Sequence, residues 1–384
     1  MNYFKILRFL ELGNRPIFDF PKEEQEAYLK RLGDAKDDID RGYKQYLCQN
    51  QLVRPRWKIV AFNVVGAIML PFVAIYFLFK RLFLRKDENQ ACLIEKKGMP
   101  EVVPQVVRDK YHPSEDYEIG TSLSIRDIGF LCGLVVMAPL HPYFTFKAIM
   151  NVARYSHLIY KYAPKTLIQF GEFSFSATIL TDYCHRRGVK HVDVMHGEKL
   201  FSIRDAYFHF DETYVWSDHY VKLLTSLKAE PNQFRIAVPP SLHIDCEKYN
   251  RPEVYADYKY YLAAYDETTI KHIVDAMAFT KYEGKTVKYR PHPRYSNIEW
   301  LRKYVSEDEI EYPKSVTIQE SLSNLDYAVG SYTTVMVQAY FSGKGVIMDD
   351  VAELKEYNLL KSLDYILSGD EFDKLSNHQQ NKKR

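Results

Sequence analysis

From about residue 145 onward, short apolar runs alternate with amphipathic stretches. FKAIMNVARYSHLIYKYA (146–163) repeats apolar residues every three to four positions and stops at Pro164, which predicts a helix. TLIQF (166–170), closed by Gly171, predicts a strand. SFSATILTDYCHRRG (174–188) reads as a helix opened by Ser and stopped by Gly188, and HVDVMHG (191–197) as a strand ending in a turn. TYVW (213–216), a Ser-led helix and FRIAV (234–238) follow, and the chain then meets Pro239-Pro240. The second half repeats the alternation. YKYYLAAY (258–265), TVKYRPHP (286–293), SVTI (315–318), DYAVG (326–330) and VIMDD (346–350) predict strands. DETTIKHIVDAMAFTKYEG (266–284), ESLSNL and SYTTVMVQAYFSG predict helices between them. Such alternation implies parallel sheets covered by helices. Two runs meeting near the double proline predict two Rossmann-like, doubly wound α/β domains facing a cleft, over 87–240 and 241–370. The remainder, 371–384, reads as a polar tail.

The N-terminal quarter has a different pattern. Residues 1–57 are charged, with helix-favouring composition and irregular three-to-four spacing, and predict a helical appendage or a helix packed on the main body. Residues 59–79 (IVAFNVVGAIMLPFVAIYFLF) are apolar over about 20 positions, enough to cross a bilayer core. Pro71 interrupts them, and Asn63 is their one strongly polar side chain. Arg54, Arg56 and Lys58 precede the run; Lys80, Arg81, Arg85 and Lys86 follow it. Basic residues at both ends give no orientation. They suit an in-plane or re-entrant element over 58–86 that rests on anionic headgroups. A single spanning helix and a buried core helix are the other two readings.

Composition narrows the classes. The chain has 384 residues, 46% hydrophobic and 27% charged, which excludes wholesale disorder. A net charge of +2 argues against a dedicated nucleic-acid binder. Five scattered cysteines with no CxxC argue against a disulfide framework or structural zinc and fit a reducing compartment. No GxGxxG and no GxxxxGK[ST] occurs, which removes support for dinucleotide and P-loop readings. No convincing DxD pair lies at a strand end, so no metal and no cofactor is expected.

Ligands of such sheets bind beyond the carboxyl ends of strands, and four predicted loops lie there. Glu172, after TLIQF, is a candidate general base or a first-turn acid on the next helix. His196-Gly197-Glu198 offers a His, a close-approach Gly and a second carboxylate. Arg290-Pro291-His292-Pro293-Arg294 brackets a His between two prolines and two cations, a preorganised site for a negatively charged group. Gly330-Ser331-Tyr332-Thr333-Thr334 opens a helix with hydroxyls, an anion site or plain N-capping.

A strand ending in HG, then R-x-HP, then a Ser/Thr turn opening a helix resembles bacterial GT-B glycosyltransferases of surface polysaccharide assembly. The chain is similar there, over about residues 145–350, to the CMP-sugar sialyl-, polysialyl- and Kdo transferases and to the CDP-glycerol teichoic-acid transferases. The resemblance implies a GT-B-like fold. It also implies transfer of a sugar, sialic acid or Kdo among the candidates, from a CMP-linked donor to a surface polysaccharide or lipid-linked acceptor. By position, His292 would contact the donor phosphate, with Arg290, Arg294, Ser331, Thr333 and Thr334 around it. Glu172 or Glu198 would be the base, and His196 matches the HG histidine of the teichoic-acid group. Two departures stand out: Gly-Glu replaces the acid-acid-Gly order of the sialyltransferases, and GSYTT replaces the longer Ser-Asp-Tyr-Ser-Ser turn. The expected partners are a CMP- or CDP-linked donor, a glycan or lipid-linked acceptor and the inner membrane surface, with no nucleic acid. The expected location is the cytoplasmic face of a bacterial inner membrane. The alternatives are a CDP-polyol phosphotransferase, a nucleotide-sugar epimerase and a non-catalytic membrane scaffold.

Overall fold

The computed structural model describes residues 17–87, 89–94 and 100–380, so residues 1–16 of the expected appendage and 381–384 of the expected tail lie outside the described residues. The chain divides into two compact units, Met1–Ala237 and Val238–Arg384. The boundary falls just before the double proline.

The first unit opens with α1 (Lys22–Leu32), α2 (Asp38–Leu52) and the long α3 (Trp57–Arg81). Then come β1 (Cys92–Ile94), α4 (Gln105–Tyr111), α5 (Ile128–Met137) and α6 (Pro142–Tyr162). The rest is β2 (Thr166–Gln169), α7 (Phe175–His185), β3 (Lys190–Val194), β4 (Glu212–Val215), α8 (Asp218–Ser226) and β5 (Phe234–Ile236). Its sheet is parallel and runs in chain order, β1-β2-β3-β4-β5. Strands β1 to β4 are short and largely buried, as expected for a parallel sheet covered on both faces, whereas β5 leaves Arg235 and Ile236 exposed.

The N-terminal helices belong to this unit rather than forming an appendage. A Cβ on Gly42 of α2 would lie 2.7 Å from Ile179 and 2.8 Å from the carbonyl of Phe175, both on α7. Gln45 of α2 donates to the backbone oxygens of Glu172 (2.9 Å) and Arg204 (3.0 Å). The apolar segment forms one helix straight through Pro71, and α3 lies along α6. Phe62 and Tyr143 stack at 4.9 Å, Tyr143 N–H donates to Asn63 Oδ1 (3.2 Å), and a Cβ on Gly66 would come within 2.6 Å of that same nitrogen. Fifteen residues on, Arg81 sits 3.3 Å over the Tyr160 ring. One face of α3 (Phe62, Gly66, Phe77) is therefore buried on the unit. The opposite face exposes Trp57, Val60, Val64, Ile68, Phe72, Ile75 and Phe79. Val135 and Val136 of α5 and Leu140 just beyond it are also exposed.

The second unit contains β6 (Ala256–Tyr261), α9 (Glu267–Ala276), α10 (Phe279–Tyr282), β7 (Val287–Arg290), α11 (Ile298–Leu301), α12 (Ile318–Ser323) and β8 (Leu325–Gly330). It continues with α13 (Thr334–Phe341), β9 (Gly345–Met348), α14 (Leu354–Ser362), β10 (Asp373–Lys374) and α15 (Leu375–Gln380). Its parallel sheet has the order β10-β9-β8-β6-β7, so the strand order reverses between β6 and β8. Two corrections to the sequence reading arise here. Residues 315–318 are not a strand: Thr317 caps α12 through a reciprocal bond with Glu320, a Thr-x-x-Glu capping box. Residues 373–380 are not tail: Asp373 and Lys374 pair with β9, and Leu375 at the start of α15 is completely buried.

Candidate functional site

In the first unit the carboxyl ends of β2 and β3 carry a dense charged cluster. Glu172 follows β2 and is 1% exposed; His196, Glu198 and Lys199 follow β3. The Lys199 ammonium is itself 4% exposed, makes a close ion pair with Glu172 and lies 3.7 Å from Asp205. Burial alone would lower the Lys199 pKa, but the Asp205 and Glu172 charges outweigh it and raise the value. Burial would likewise raise Asp205, yet Lys199 and Arg204 hold it below the usual carboxylate range. Asp193, at the end of β3, accepts the Gly171 N–H at 2.8 Å; burial, and next the Glu172 charge, push its pKa well up. His196 Nδ1 is 3.9 Å from Glu172 Oε1, between the rings of Phe170 and Phe173.

Glu198 differs from Glu172. Its carboxylate is not ion-paired to the Lys199 ammonium and accepts hydrogen bonds from the Tyr220 hydroxyl (2.7 Å) and the Lys199 backbone N–H. Burial raises its pKa to about 7. A carboxyl that titrates near neutral pH suits proton transfer. Glu172, locked to a buried lysine, is an electrostatic anchor.

In the second unit β7 and β8 deliver their loops to the same sheet edge with β6 between them, which separates them by about 10 Å at ordinary strand spacing. His292 Nδ1 accepts the backbone N–H of Arg294 (3.1 Å), so a neutral ring carries its proton on Nε2. The ring stacks on Tyr295 at 4.6 Å, and the His292 N–H donates to Ser296 Oγ. Arg294 is exposed on this loop. Arg290 is not available to a ligand. It is 8% exposed, and its guanidinium donates to Glu311 (2.7 Å) and to the Val316 carbonyl (2.9 Å); Glu311 also pairs with Lys259 at 2.6 Å. Ser331 is turned inward too, with no exposure, and donates to Glu356 Oε2 at 2.7 Å. Thr333 and Thr334 fit the expectation better. Thr333 is the N-cap of α13 without a side-chain cap bond, its Oγ1 is buried without a hydrogen-bond partner, and Thr334 is exposed on the first turn.

Sequence reasoning missed Lys199, Asp193 and Asp205, whose partners lie 6 to 27 positions away. It also missed Glu353 and Glu356 near Ser331. Burial, with the Glu356 and Asp349 charges, raises Glu353 to about 7. Asp349 is a turn residue: it accepts from Tyr260 (2.6 Å) and from the N–H groups of Val351 and Ala352. No group of three or more His, Cys, Asp or Glu among the described residues is arranged to hold a metal ion.

No family model matches the chain, and no curated protein matches it. Solved structures with likeness include the UDP-GlcNAc 2-epimerase of Methanocaldococcus jannaschii in complex with UDP-GlcNAc and UDP (10% identity, 76% of this chain, 90% of that chain, TM-score 0.36). The wall teichoic acid polymerase TagF (9%, 77% and 79%, TM-score 0.38) and the calicheamicin glycosyltransferase CalG4 (10%, 73% and 83%, TM-score 0.40) are also similar. At this level the likeness does not separate a transferase from an epimerase, and the fold rests on the two parallel sheets themselves.

Proposed function

We propose that the chain is a glycosyltransferase that moves a sugar from a nucleotide-activated donor to a glycan or lipid-linked acceptor. The observation that carries this reading is the edge of the second sheet. There a histidine with its Nδ1 tied down presents Nε2–H, and an uncapped helix N-terminus with a free Thr333 hydroxyl lies two strands away. These are donors for the charge that develops on a departing phosphate. In this reading His292, Arg294, Thr333 and Thr334 bind the donor phosphate, and Arg290 and Ser331 support the loops from behind. In the first unit Glu198 takes the acceptor proton, with His196 beside it and Glu172 as its electrostatic support.

We extend the proposal to a CMP-linked donor, on the order of the HG, R-x-HP and Ser/Thr-turn motifs, with a CDP-polyol donor as the alternative. Transfer is proposed to need no metal. The chain is proposed to work at the cytoplasmic face of a bacterial inner membrane, where soluble donors meet lipid-held acceptors. The exposed apolar stripe of α3, flanked by exposed Arg56, Arg85 and Lys86, supports an in-plane attachment.

The test is transfer of labelled sugar from CMP-, CDP- and UDP-linked donors to membrane extracts, with and without EDTA. Transfer from a cytidine donor that survives EDTA and falls by at least about a hundredfold in His292→Ala is expected, the loss typical of a removed charge-stabilising group. Absence of transfer from every donor, or full activity in His292→Ala, would overturn the assignment.

A further inference from the structure

The carboxyl end of β2 opens into a cavity of about 390 Å³ that lies wholly within the first unit. That size is in the lower range of small-molecule sites. Its polar lining consists of Asn151 and Arg154 from α6, Gln169 from β2, and Ser174 and Ser176 at the start of α7.

Every one of these groups can donate. Gln169 is 4% exposed; its Oε1 accepts the Tyr155 hydroxyl at 2.9 Å, and its Nε2 has no hydrogen-bond partner. A buried amide N–H left unpaired is destabilising, so its retention calls for an acceptor from outside the fold. The amide is held from behind. Tyr155 also contacts His191 Nε2 at 3.0 Å, and His191 Nδ1 contacts Thr181 at 2.7 Å. Burial pushes the His191 pKa down to about 3, so this ring is a neutral strut. Gly171 leaves the space: a Cβ there would lie 3.0 Å from Gln169 Cδ and Nε2.

The opposite wall points the same way. Asn151 Nδ2 donates to Ser176 Oγ at 2.8 Å, and the Ser176 and Ser174 hydroxyls are 2.9 Å apart. Whichever serine donates to the other, one hydroxyl proton remains for a further acceptor. Ser174 is the N-cap of the 11-residue α7 but makes no side-chain cap bond, so the helix dipole meets the cavity uncompensated. Arg154 adds a full positive charge, and no carboxylate is among the lining residues.

We propose that this cavity is a binding subsite for an anionic group, a carboxylate or a phosphate, carried by a sugar-sized ligand. It rests on the transferase reading only in one respect, the identification of that ligand as the acceptor. Gly171 of the wall is directly followed by Glu172, so the subsite would hold an acidic acceptor beside the charged cluster.

The experiment is calorimetric titration of the full chain with D-glucuronate, glucose 6-phosphate and neutral glucose, in parallel with a nucleotide thermal-shift assay. At least one anionic sugar is expected to bind about tenfold or more tighter than glucose, and Arg154→Gln and Gln169→Leu should each weaken it by about tenfold or more, the value of one charge-assisted hydrogen bond. The two anions distinguish carboxylate from phosphate. Should Gln169→Leu fail to fold, Ser176→Asp places a negative charge on the cavity wall and is expected to abolish anion binding. Equal affinity for glucose and both anions, or anion binding indifferent to these substitutions, would overturn the subsite. A nucleotide shift without anion binding would sink the subsite alone. Anion binding without any nucleotide shift would leave the subsite and sink the transferase reading.

Discussion

Replacing Glu198 by Gln should make the protein more stable and less active. The carboxyl has an ordinary value of 4.5 and titrates at about 7 in the fold, because burial disfavours its charge. At about 1.36 kcal/mol per pH step, ionising it in place costs the native state about 3 kcal/mol relative to the unfolded chain. The sign follows from proton binding. Between pH 4.5 and 7 the native state holds the proton and the unfolded state does not, so stability falls as pH rises through this window and levels off above it. Gln keeps an oxygen for the Tyr220 hydroxyl, now 2.7 Å from the carboxylate, and carries no charge. A unit of this size shifts its melting point by about 2–4 °C per kcal/mol, so Glu198→Gln should melt roughly 6–12 °C above the wild type at pH 8. The two should nearly coincide below pH 4.5. Melting curves of both proteins from pH 4 to 8.5 read this directly. A variant less stable at pH 8, or a difference independent of pH, would refute the claim that a strained, near-neutral carboxyl is held here.

Two further predictions concern the first unit. Lys199→Met removes the buried cation shared by Glu172 and Asp205 and should cost about 3–5 kcal/mol in denaturant unfolding; a neutral outcome would contradict the cluster described above. Ile68→Glu with Phe72→Glu, on the exposed face of α3 (59% and 66% exposed), should change stability by no more than about 0.5 kcal/mol per site. The pair should abolish co-sedimentation with anionic vesicles, and undiminished sedimentation would remove α3 as the membrane-contacting face.

The periodicity of the chain locates eight of the ten strands, because each is a short run rich in apolar, aromatic or β-branched residues between stretches of helical period. The misses have physical causes. β1 (Cys-Leu-Ile) and β10 (Asp-Lys) are two or three residues long, too short for any period. The run at 315–318 is β-branched and reads as a strand, but the Thr317–Glu320 capping box decides it as a helix start. Pro71 reads as a break, yet α3 continues because its contacts with α6 lie on both sides of the proline. The loops that carry chemistry are visible as unusual residues at strand ends. Which members face inward is not: Arg290 looks as free as Arg294 until Glu311 and Val316 come to meet it from 21 and 26 residues away. Likewise, Glu172 and Glu198 look interchangeable in sequence. Lys199 pairs with one and not the other, and only the folded chain distinguishes them.

The central claim is that the second unit binds a nucleotide-linked donor through the His292 loop. The most direct measurement is the thermal shift of the full chain with CMP, CDP, UDP and GDP, compared between wild type and His292→Ala, since a ligand that binds only the folded state raises its melting temperature. The account predicts a rise with CMP or CDP that is lost in the variant. A rise with UDP alone would contradict the cytidine donor, and no rise with any of the four would contradict the claim itself.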